Sequence, residues 1–188
     1  MINYLKNAGN YCDKDILIFE EKIKLRPDLK DEILLQEGVV CKSIFYNITG
    51  AFYQYNFNDD MEINVIDLHS DNEWFFNHNS FMAQKPSDTF IKSFTDSRIA
   101  EITIESLHEL LTESPAFFHM FRILEQTNSR LHFFDNRLTP TQKYKYILDN
   151  RPELIQKFPL KIIASYLKIS PETLSRVRES FSKGKITS

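Results

Sequence analysis

The sequence predicts an α+β protein in which a β-rich N-terminal region is followed by a helical C-terminal region. Apolar and polar residues alternate from about Glu21 to Glu105, as they do on half-buried strands. Beyond this stretch the apolar spacing lengthens to three and four residues, which indicates helices. Residues 1–135 hold 12 basic and 22 acidic side chains, whereas residues 136–188 hold 11 basic and 4 acidic ones, so the two parts carry net charges of −10 and +7. This asymmetry indicates an acidic domain joined to one that binds a polyanion, although a solvated basic tail is the alternative.

Turn signals divide the β-rich region into short strands. The signals are Pro27-Asp28, Gln36-Glu37-Gly38, Thr49-Gly50 and Asn58-Asp59-Asp60. Strands are predicted at Ile23–Leu25, Ile33–Leu35, around Ile44 and Phe52, and at Ile63–Val65, Thr89–Phe94 and Arg98–Ile104. Many short antiparallel strands at roughly even spacing predict a jelly-roll or barrel.

A long helix is predicted after the strands. Ser114-Pro115 provides an N-cap followed by proline, and a shorter helix is expected just before it at Ser106–Thr112. Alternating spacings of three and four then connect Phe117, Met120, Leu124, Thr127, Leu131, Phe134 and Leu138. This is the pattern of a coiled-coil seam about three heptads long, so we expect a parallel homodimer. The alternative is a helix that packs on its own barrel.

Residues 160–179 predict a helix-turn-helix. Ile163, Ala164 and Leu167 form the inner face of its first helix, and a break at residues 168–170 leads to a second helix, Ser170–Glu179. Ser170 is a suitable N-cap and is followed by proline. The second helix should bury Leu174 and Val177 and should direct outward Glu172, Thr173, Ser175, Arg176 and Arg178.

The outward side chains have the chemistry of base and phosphate recognition. A glutamate such as Glu172 can accept a hydrogen bond from cytosine N4, and Arg176 can donate two bonds to guanine O6 and N7. Ser170 and Thr173 stand where hydroxyls and helix N-terminal amides meet phosphates, with Ser175 beside them. The sequence therefore predicts double-stranded DNA as a partner, with an ordinary helical hairpin carrying a surface ion pair as the alternative.

The run Ile-Ala-Ser-Tyr-Leu-Lys-Ile-Ser-Pro-Glu-Thr-Leu-Ser-Arg, from Ile163 to Arg176, resembles the Crp/Fnr family of bacterial transcription regulators. A weaker similarity covers Glu32–Gly38 and Thr49–Tyr53, so the resemblance extends over effectively the whole chain. It implies a cyclic-nucleotide-binding-like β jelly-roll, a long dimerisation helix and a C-terminal winged helix-turn-helix. It also implies base reading by Glu172 and Arg176, phosphate contact by Ser170 and Thr173, and RNA polymerase as a further partner.

The chain departs from this family at three places. Lys168 stands in the turn where many members have glycine, and only a short segment remains after the second helix to form a wing. The family's phosphate cassette begins with Gly-Glu and ends in Arg-Ser or Arg-Thr, whereas this chain has Asn72-Glu73 and Asp88-Thr89. Because an aspartate repels a phosphate that an arginine would bind, we expect an effector other than cyclic AMP, or none. Glu73, Asp88 and Thr89 are the candidate effector-binding residues.

The expected domains are a sensor-type β-roll at residues 1–113, a dimerisation helix at 114–138 and a DNA-binding domain at 139–188. The two cysteines are far apart and the five histidines form no metal-ligand pattern, so no cofactor and no metal site are expected. No catalytic motif occurs, so the protein is not expected to be an enzyme. With no signal peptide or membrane-spanning run, a cytoplasmic protein that does not enter a membrane is predicted. The alternative function is a small-molecule sensor that acts through protein contacts and carries a vestigial helix-turn-helix.

Overall fold

The computed structural model describes residue 5, residues 10–120, residue 134 and residues 138–184. The strands are β1 (Lys24–Asp28), β2 (Ile33–Leu35), β3 (Ser43–Thr49), β4 (Phe52–Phe57), β5 (Ile63–His69), β6 (Glu73–Phe75), β7 (Phe90–Ser93) and β8 (Ser97–Thr103). The helices are α1 (Asp13–Lys22), α2 (His78–Ala83), α3 (Ile104–Glu113), a 3₁₀ helix (Pro115–Met120), α4 (Pro140–Asn150), α5 (Glu153–Lys157), α6 (Leu160–Tyr166) and α7 (Pro171–Ser182).

The strands form two four-stranded antiparallel sheets. Their orders are β1-β8-β3-β6 and β2-β7-β4-β5, so strands that are distant in sequence become neighbours in each sheet. This crossed order is that of a jelly-roll, and it confirms the predicted α+β class with an N-terminal β-roll. Strands β5 and β6 each lie at the edge of a sheet.

Two elements of the roll were absent from the sequence prediction. Strand β6 has three residues, too few to show an alternating pattern. Helix α2 has six residues and owes its start to Asn77, whose side-chain oxygen accepts a hydrogen bond from the amide of Ser80 at 2.8 Å. Both elements are set by local bonds and by packing rather than by periodicity.

Aromatic and branched residues from both sheets fill the roll. Phe52 and Phe75 stack with ring centroids 4.8 Å apart, and both are fully buried together with Ile91 and Ile102. Burying each such side chain contributes about 1.5–3 kcal/mol. Burial alternates along β7, whereas β3 and β4 are buried at four or more successive positions, so the alternation read from the sequence identifies the core face of only some strands.

The ends of the predicted coiled-coil seam pack within the chain. Phe117 and Met120 are buried in the barrel core, where the ring of Phe117 lies 5.5 Å from that of Tyr11. Phe134 is buried against Tyr166, with ring centroids 5.1 Å apart. The middle of the predicted dimerisation helix, including Leu124, Thr127 and Leu131, lies outside the described residues, and the homodimer stays a prediction.

The C-terminal helices share an apolar cluster with the outer face of the barrel. Tyr53, Val65 and Leu68 of the barrel belong to the same buried cluster as Leu154 and Tyr166 of the helices. Helix α4 begins with a capping box in which Thr139 accepts from the amide of Gln142, as its Thr-Pro start predicts. None of the helices in the described part of the chain combines the length and hydrophobicity needed to cross a bilayer.

Candidate nucleic-acid interface

Helices α6 and α7 pack as a helix-turn-helix. Ala164 and Leu174 are completely buried where the two helices meet. The amide of Ile169 donates to the carbonyl of Ala164 at 3.1 Å, which closes the end of α6, and Lys168 adopts a left-handed conformation with a φ of 55°. The turn thus keeps the left-handed geometry that glycine supplies most easily, but with a lysine.

Bonds to the barrel hold Lys168 in this conformation. A non-glycine residue in the left-handed region costs about 1–2 kcal/mol. The Nζ atom of Lys168 donates to the side-chain oxygen of Asn64 at 2.7 Å and to the carbonyl of Val65 at 2.6 Å. Charge-assisted bonds of this kind each contribute about 1.5–3 kcal/mol, enough to offset the strain.

Ser170 caps the second helix. Its Oγ accepts a hydrogen bond from the amide of Thr173 at 3.2 Å, and Pro171 occupies the first turn. The helix continues to Ser182, three residues beyond the predicted end at Glu179. Residues 185–188 lie outside the described part of the chain.

The five predicted DNA-contacting residues all lie on α7 or at its cap. Ser170, Glu172, Ser175 and Arg176 are exposed, and Thr173 is half-buried. Arg176 Nε donates to the backbone carbonyl of Glu172 at 3.4 Å, so the two side chains are aligned along one face of the helix. The helix thus presents a carboxylate, a guanidinium and two hydroxyls to the solvent from its first two turns.

The first turn of α7 stabilises the charged form of Glu172. Its own backbone amide and the Ser170 hydroxyl hold the pKa of the carboxyl below its usual value, and Arg176 adds to the effect. A carboxylate at neutral pH can only accept hydrogen bonds. Glu172 is therefore suited to a donor such as the cytosine amino group.

The three candidate effector residues lie in different environments. Thr89 is buried in the roll, where its Oγ1 accepts bonds from Gln54 Nε2 at 2.8 Å and Asn77 Nδ2 at 2.7 Å. Asp88 is exposed, and Glu73 begins the edge strand β6. The carboxylate of Asp88 is thus placed at the surface, whereas the hydroxyl of Thr89 already has two donors inside the roll.

Arg151 is a functional candidate that sequence reasoning missed. It follows α4, its side chain is 10 % exposed, and its Nη2 atom donates to the carbonyl of Leu68 at 2.7 Å and to Glu73 Oε1 at 2.8 Å. Its Nη1 atom donates to the Tyr166 hydroxyl at 3.2 Å and lies 3.5 Å from Asp67 Oδ1. The guanidinium therefore joins the C-terminal helices to the edges of both sheets.

Acidic neighbours keep the Arg151 guanidinium charged despite its burial. Burial opposes the charged form, but Glu73, the hydroxyl of Tyr166 and Asp67 outweigh it, and the pKa of Arg151 is raised above its usual value. From the sequence alone, Arg151-Pro152 indicates only an interruption between two helices. The available signal was the acidic stretch around β5 and β6, which contains Asp67, Asp71 and Glu73 and requires a basic partner.

Further contacts extend this interface. Lys157 Nζ donates to the Gly50 carbonyl at 2.8 Å and also pairs with Asp71. The rings of Phe94 and Phe158 lie 5.1 Å apart. The C-terminal helices are thus held on the barrel by polar bonds to backbone groups as well as by apolar contact.

No family model and no curated protein sequence matches the chain. Solved structures do. FixK2 from Bradyrhizobium japonicum superposes with a TM-score of 0.67 at 14 % identity and covers 86 % of both chains. The c-di-GMP responsive global regulator CLP of Xanthomonas campestris has a TM-score of 0.64 at 17 % identity and covers 93 % of both. A CooA mutant from Carboxydothermus hydrogenoformans has a TM-score of 0.63 at 16 % identity, covering 96 % of this chain and 83 % of its own. The resemblance to Crp/Fnr regulators is confirmed at the level of the fold.

Proposed function

We propose that the protein is a dimeric, sequence-specific DNA-binding transcription regulator and not an enzyme. The observation that carries the proposal is the exposed first half of α7, where Glu172 and Arg176 lie on one face behind the Ser170 cap. A helix of this kind enters the major groove with its N-terminus first. Its side chains then read base edges, and its cap and first amides contact phosphates.

The dimer is part of this proposal because a single helix-turn-helix buries little DNA surface. Two copies related by a two-fold axis would read two half-sites about one helical turn apart. Leu124 and Leu131 are the proposed contact residues, since other members of the predicted seam are buried within the chain. RNA polymerase is proposed as the protein partner of the DNA-bound dimer.

The test of DNA recognition is selection of binding sites from a random DNA pool. We expect a two-fold-symmetric motif whose affinity falls as salt is raised. Light scattering at micromolar concentration should show a dimer, and Leu124→Asp and Leu131→Asp should each yield monomers that lose the selected site. A pool that returns no symmetric motif, together with a monomeric wild type, would overturn the proposal.

We further propose that the effector, if there is one, is not cyclic AMP. Asp88 carries a negative charge at the position that the family resemblance assigns to a phosphate-binding arginine, and Thr89 is bonded to Gln54 and Asn77. Calorimetry with cyclic AMP should give no measurable heat of binding at micromolar protein. Sub-micromolar affinity for cyclic AMP or cyclic GMP would contradict this part of the proposal.

A further inference from the structure

The barrel contains a cleft that is lined by residues of both sheets. Strand β2 lines it from one sheet, β3 and β8 line it from the other, and the loop between β2 and β3 completes the wall. The C-terminal helices make their contacts elsewhere, along β5 and β6. The volume of the cleft is about 510 Å³, which lies within the range of about 300–1,000 Å³ that small-molecule sites occupy.

Most of the cleft wall is apolar. Leu35 and Phe45 are buried, whereas Val39 is 50 % exposed, so the cleft extends from the core of the barrel to its surface. Small-molecule sites typically combine such a wall with a few polar groups that fix the orientation of the ligand. The cleft can therefore take an apolar body from solvent and cover it with aliphatic and aromatic side chains.

Glu101 supplies the acidic group of the wall. Its Oε1 atom accepts a hydrogen bond from Ser43 Oγ at 2.6 Å, and its Oε2 atom lies 3.8 Å from Arg26 Nη1, beyond hydrogen-bond distance. The side chain is 18 % exposed. Because each oxygen of a carboxylate has two lone pairs, Oε2 can accept a hydrogen bond from a ligand.

The charges behind Glu101 do not balance. Arg26 is shared between Glu101 and Asp28, since its Nη2 atom lies 2.8 Å from Asp28 Oδ1, and Asp28 is 1 % exposed. Burial raises the pKa of Asp28 to about 6 against the opposing charge of Arg26, and the charges of Glu32 and Glu101 add to the rise. Asp28 is still mostly ionised at neutral pH, so two carboxylates share one guanidinium and leave one negative charge uncompensated.

The lysine in the cleft wall does not supply the missing positive charge. Lys42 is exposed and acts on Glu105 at the start of α3. The amide of Glu105 and the Thr103 hydroxyl hold the pKa of the Glu105 carboxyl below its usual value, and the charge of Lys42 adds to this effect. Lys42 and Glu105 therefore compensate each other, and the interior of the cleft remains negative.

We propose that this cleft binds a small organic cation, an amine whose apolar body fills the space between β2 and β3 and whose ammonium group donates to Glu101. The ammonium charge compensates the carboxylate that shares Arg26 with Asp28. The site lies apart from Glu73 and Asp88-Thr89, which do not line the cleft. It goes beyond the proposed DNA-binding function, and its occupancy can be measured without DNA.

The first test compares three probes that share one carbon skeleton. These are 4-phenylbutylamine, the neutral 4-phenylbutanol and the anionic 4-phenylbutyrate, each titrated into the full chain at neutral pH and followed by calorimetry. A hydrogen bond to a charged group is stronger than one to a neutral group, so the amine should bind at least about tenfold more tightly than the alcohol. The carboxylate should bind most weakly because Glu101 repels it.

The second test removes the charge of the wall. Glu101→Gln keeps the size of the side chain and an oxygen that can accept from Ser43, so it should weaken binding of the amine about tenfold and change binding of the alcohol less than about twofold. The control is Glu113→Gln, which removes an exposed carboxylate outside the cleft and should leave the affinity for both probes unchanged.

Methyl NMR of the wild type locates the bound amine. Its resonance shifts should concentrate on the four aliphatic residues of the cleft wall, Leu34, Leu35, Val39 and Val40. Leu154 and Leu174 in the C-terminal helices should keep their resonances. Failure of all three probes to bind, equal affinity for amine and alcohol, unchanged amine affinity in Glu101→Gln, or shifts only outside the cleft would each overturn the proposed site. None of these outcomes bears on DNA binding, which is tested separately.

Discussion

The basic residues of the C-terminal region form two groups with opposite surroundings. In the first group the charged end of the side chain is bonded to carbonyl or carboxylate oxygens of the protein, as in Lys143, Arg151, Lys157 and Lys168. In the second group the side chain is exposed, as in Lys161 and Arg176. Each basic residue of either group adds the same unit charge to residues 136–188, but only the second group is placed to meet a polyanion.

The comparison shows that a count of charges overestimates the surface available to DNA. Lys143 is 5 % exposed and its Nζ donates to the Leu167 carbonyl at 2.8 Å, inside the C-terminal domain itself. Such a lysine stabilises the fold and contributes little to counterion release. Four predictions, taken in order of decreasing effect, test the distinction between the two groups.

The largest effect is expected for Arg151→Met. It removes the charge that neutralises Asp67, which is 2 % exposed, and Glu73. Breaking a buried pair by deleting one partner costs about 3–5 kcal/mol, and we expect a loss of this size in the free energy of unfolding. Urea denaturation at fixed protein concentration measures it.

The matched control for Arg151→Met is Lys161→Met, which should change stability by less than about 0.5 kcal/mol because Lys161 is exposed. Equal losses in the two variants would mean that the bonded first group and the exposed second group contribute equally to the free energy of unfolding.

The second-largest effect is expected on the affinity for DNA rather than on the stability of the fold. Arg176→Ala should raise the free energy of binding to the selected site by about 1–3 kcal/mol and relax preference at one base pair per half-site. Its thermal stability should stay close to that of the wild type because the side chain is exposed. Competition binding against single-base variants of the site measures both. If the selected motif and the affinity are unchanged in Arg176→Ala, Arg176 does not read a base.

The strands, the helix-turn-helix and the caps could be predicted because each follows from local rules. Alternation located most strands, and proline after a cap residue located the starts of α4 and α7. The family resemblance added the jelly-roll arrangement, which spacing alone left open between a jelly-roll and a barrel.

The interface between helices and barrel could not be predicted in this way. The contacts of Arg151 join residues about 80 positions apart, and no apolar periodicity or sequence motif predicts them. A lysine in place of glycine in the turn indicates a strained backbone at Lys168, but the bonds that offset the strain are made to β5, more than 100 residues upstream. Local rules identify where a backbone is strained, whereas the partner that relieves the strain depends on the tertiary fold.

The third effect separates the two roles of Lys168. Lys168→Ala loses the bonds to Asn64 and Val65 and keeps the left-handed strain, whereas Lys168→Gly loses the same bonds but relieves the strain. The glycine variant should therefore be the more stable of the two by about 1 kcal/mol, with both below the wild type. Parallel denaturant titrations measure the order. A glycine variant more stable than the wild type would show that the bonds to the barrel contribute less than the strain costs.

The smallest effect distinguishes a phosphate contact from an internal one. Lys161 is exposed at the start of α6 and lines the groove that also contains Ser170, so its charge can reach the DNA backbone without reading a base. Lys161→Ala should weaken binding to selected and random sites about equally, and it should flatten the dependence of log affinity on log salt by about one unit. Lys157→Ala is the control, because its charge is already paired with Asp71 and bonded to the Gly50 carbonyl. It should leave the salt slope unchanged even where it alters affinity through the interface. A flattened slope in Lys157→Ala, or an unchanged one in Lys161→Ala, would place the two lysines in the opposite groups.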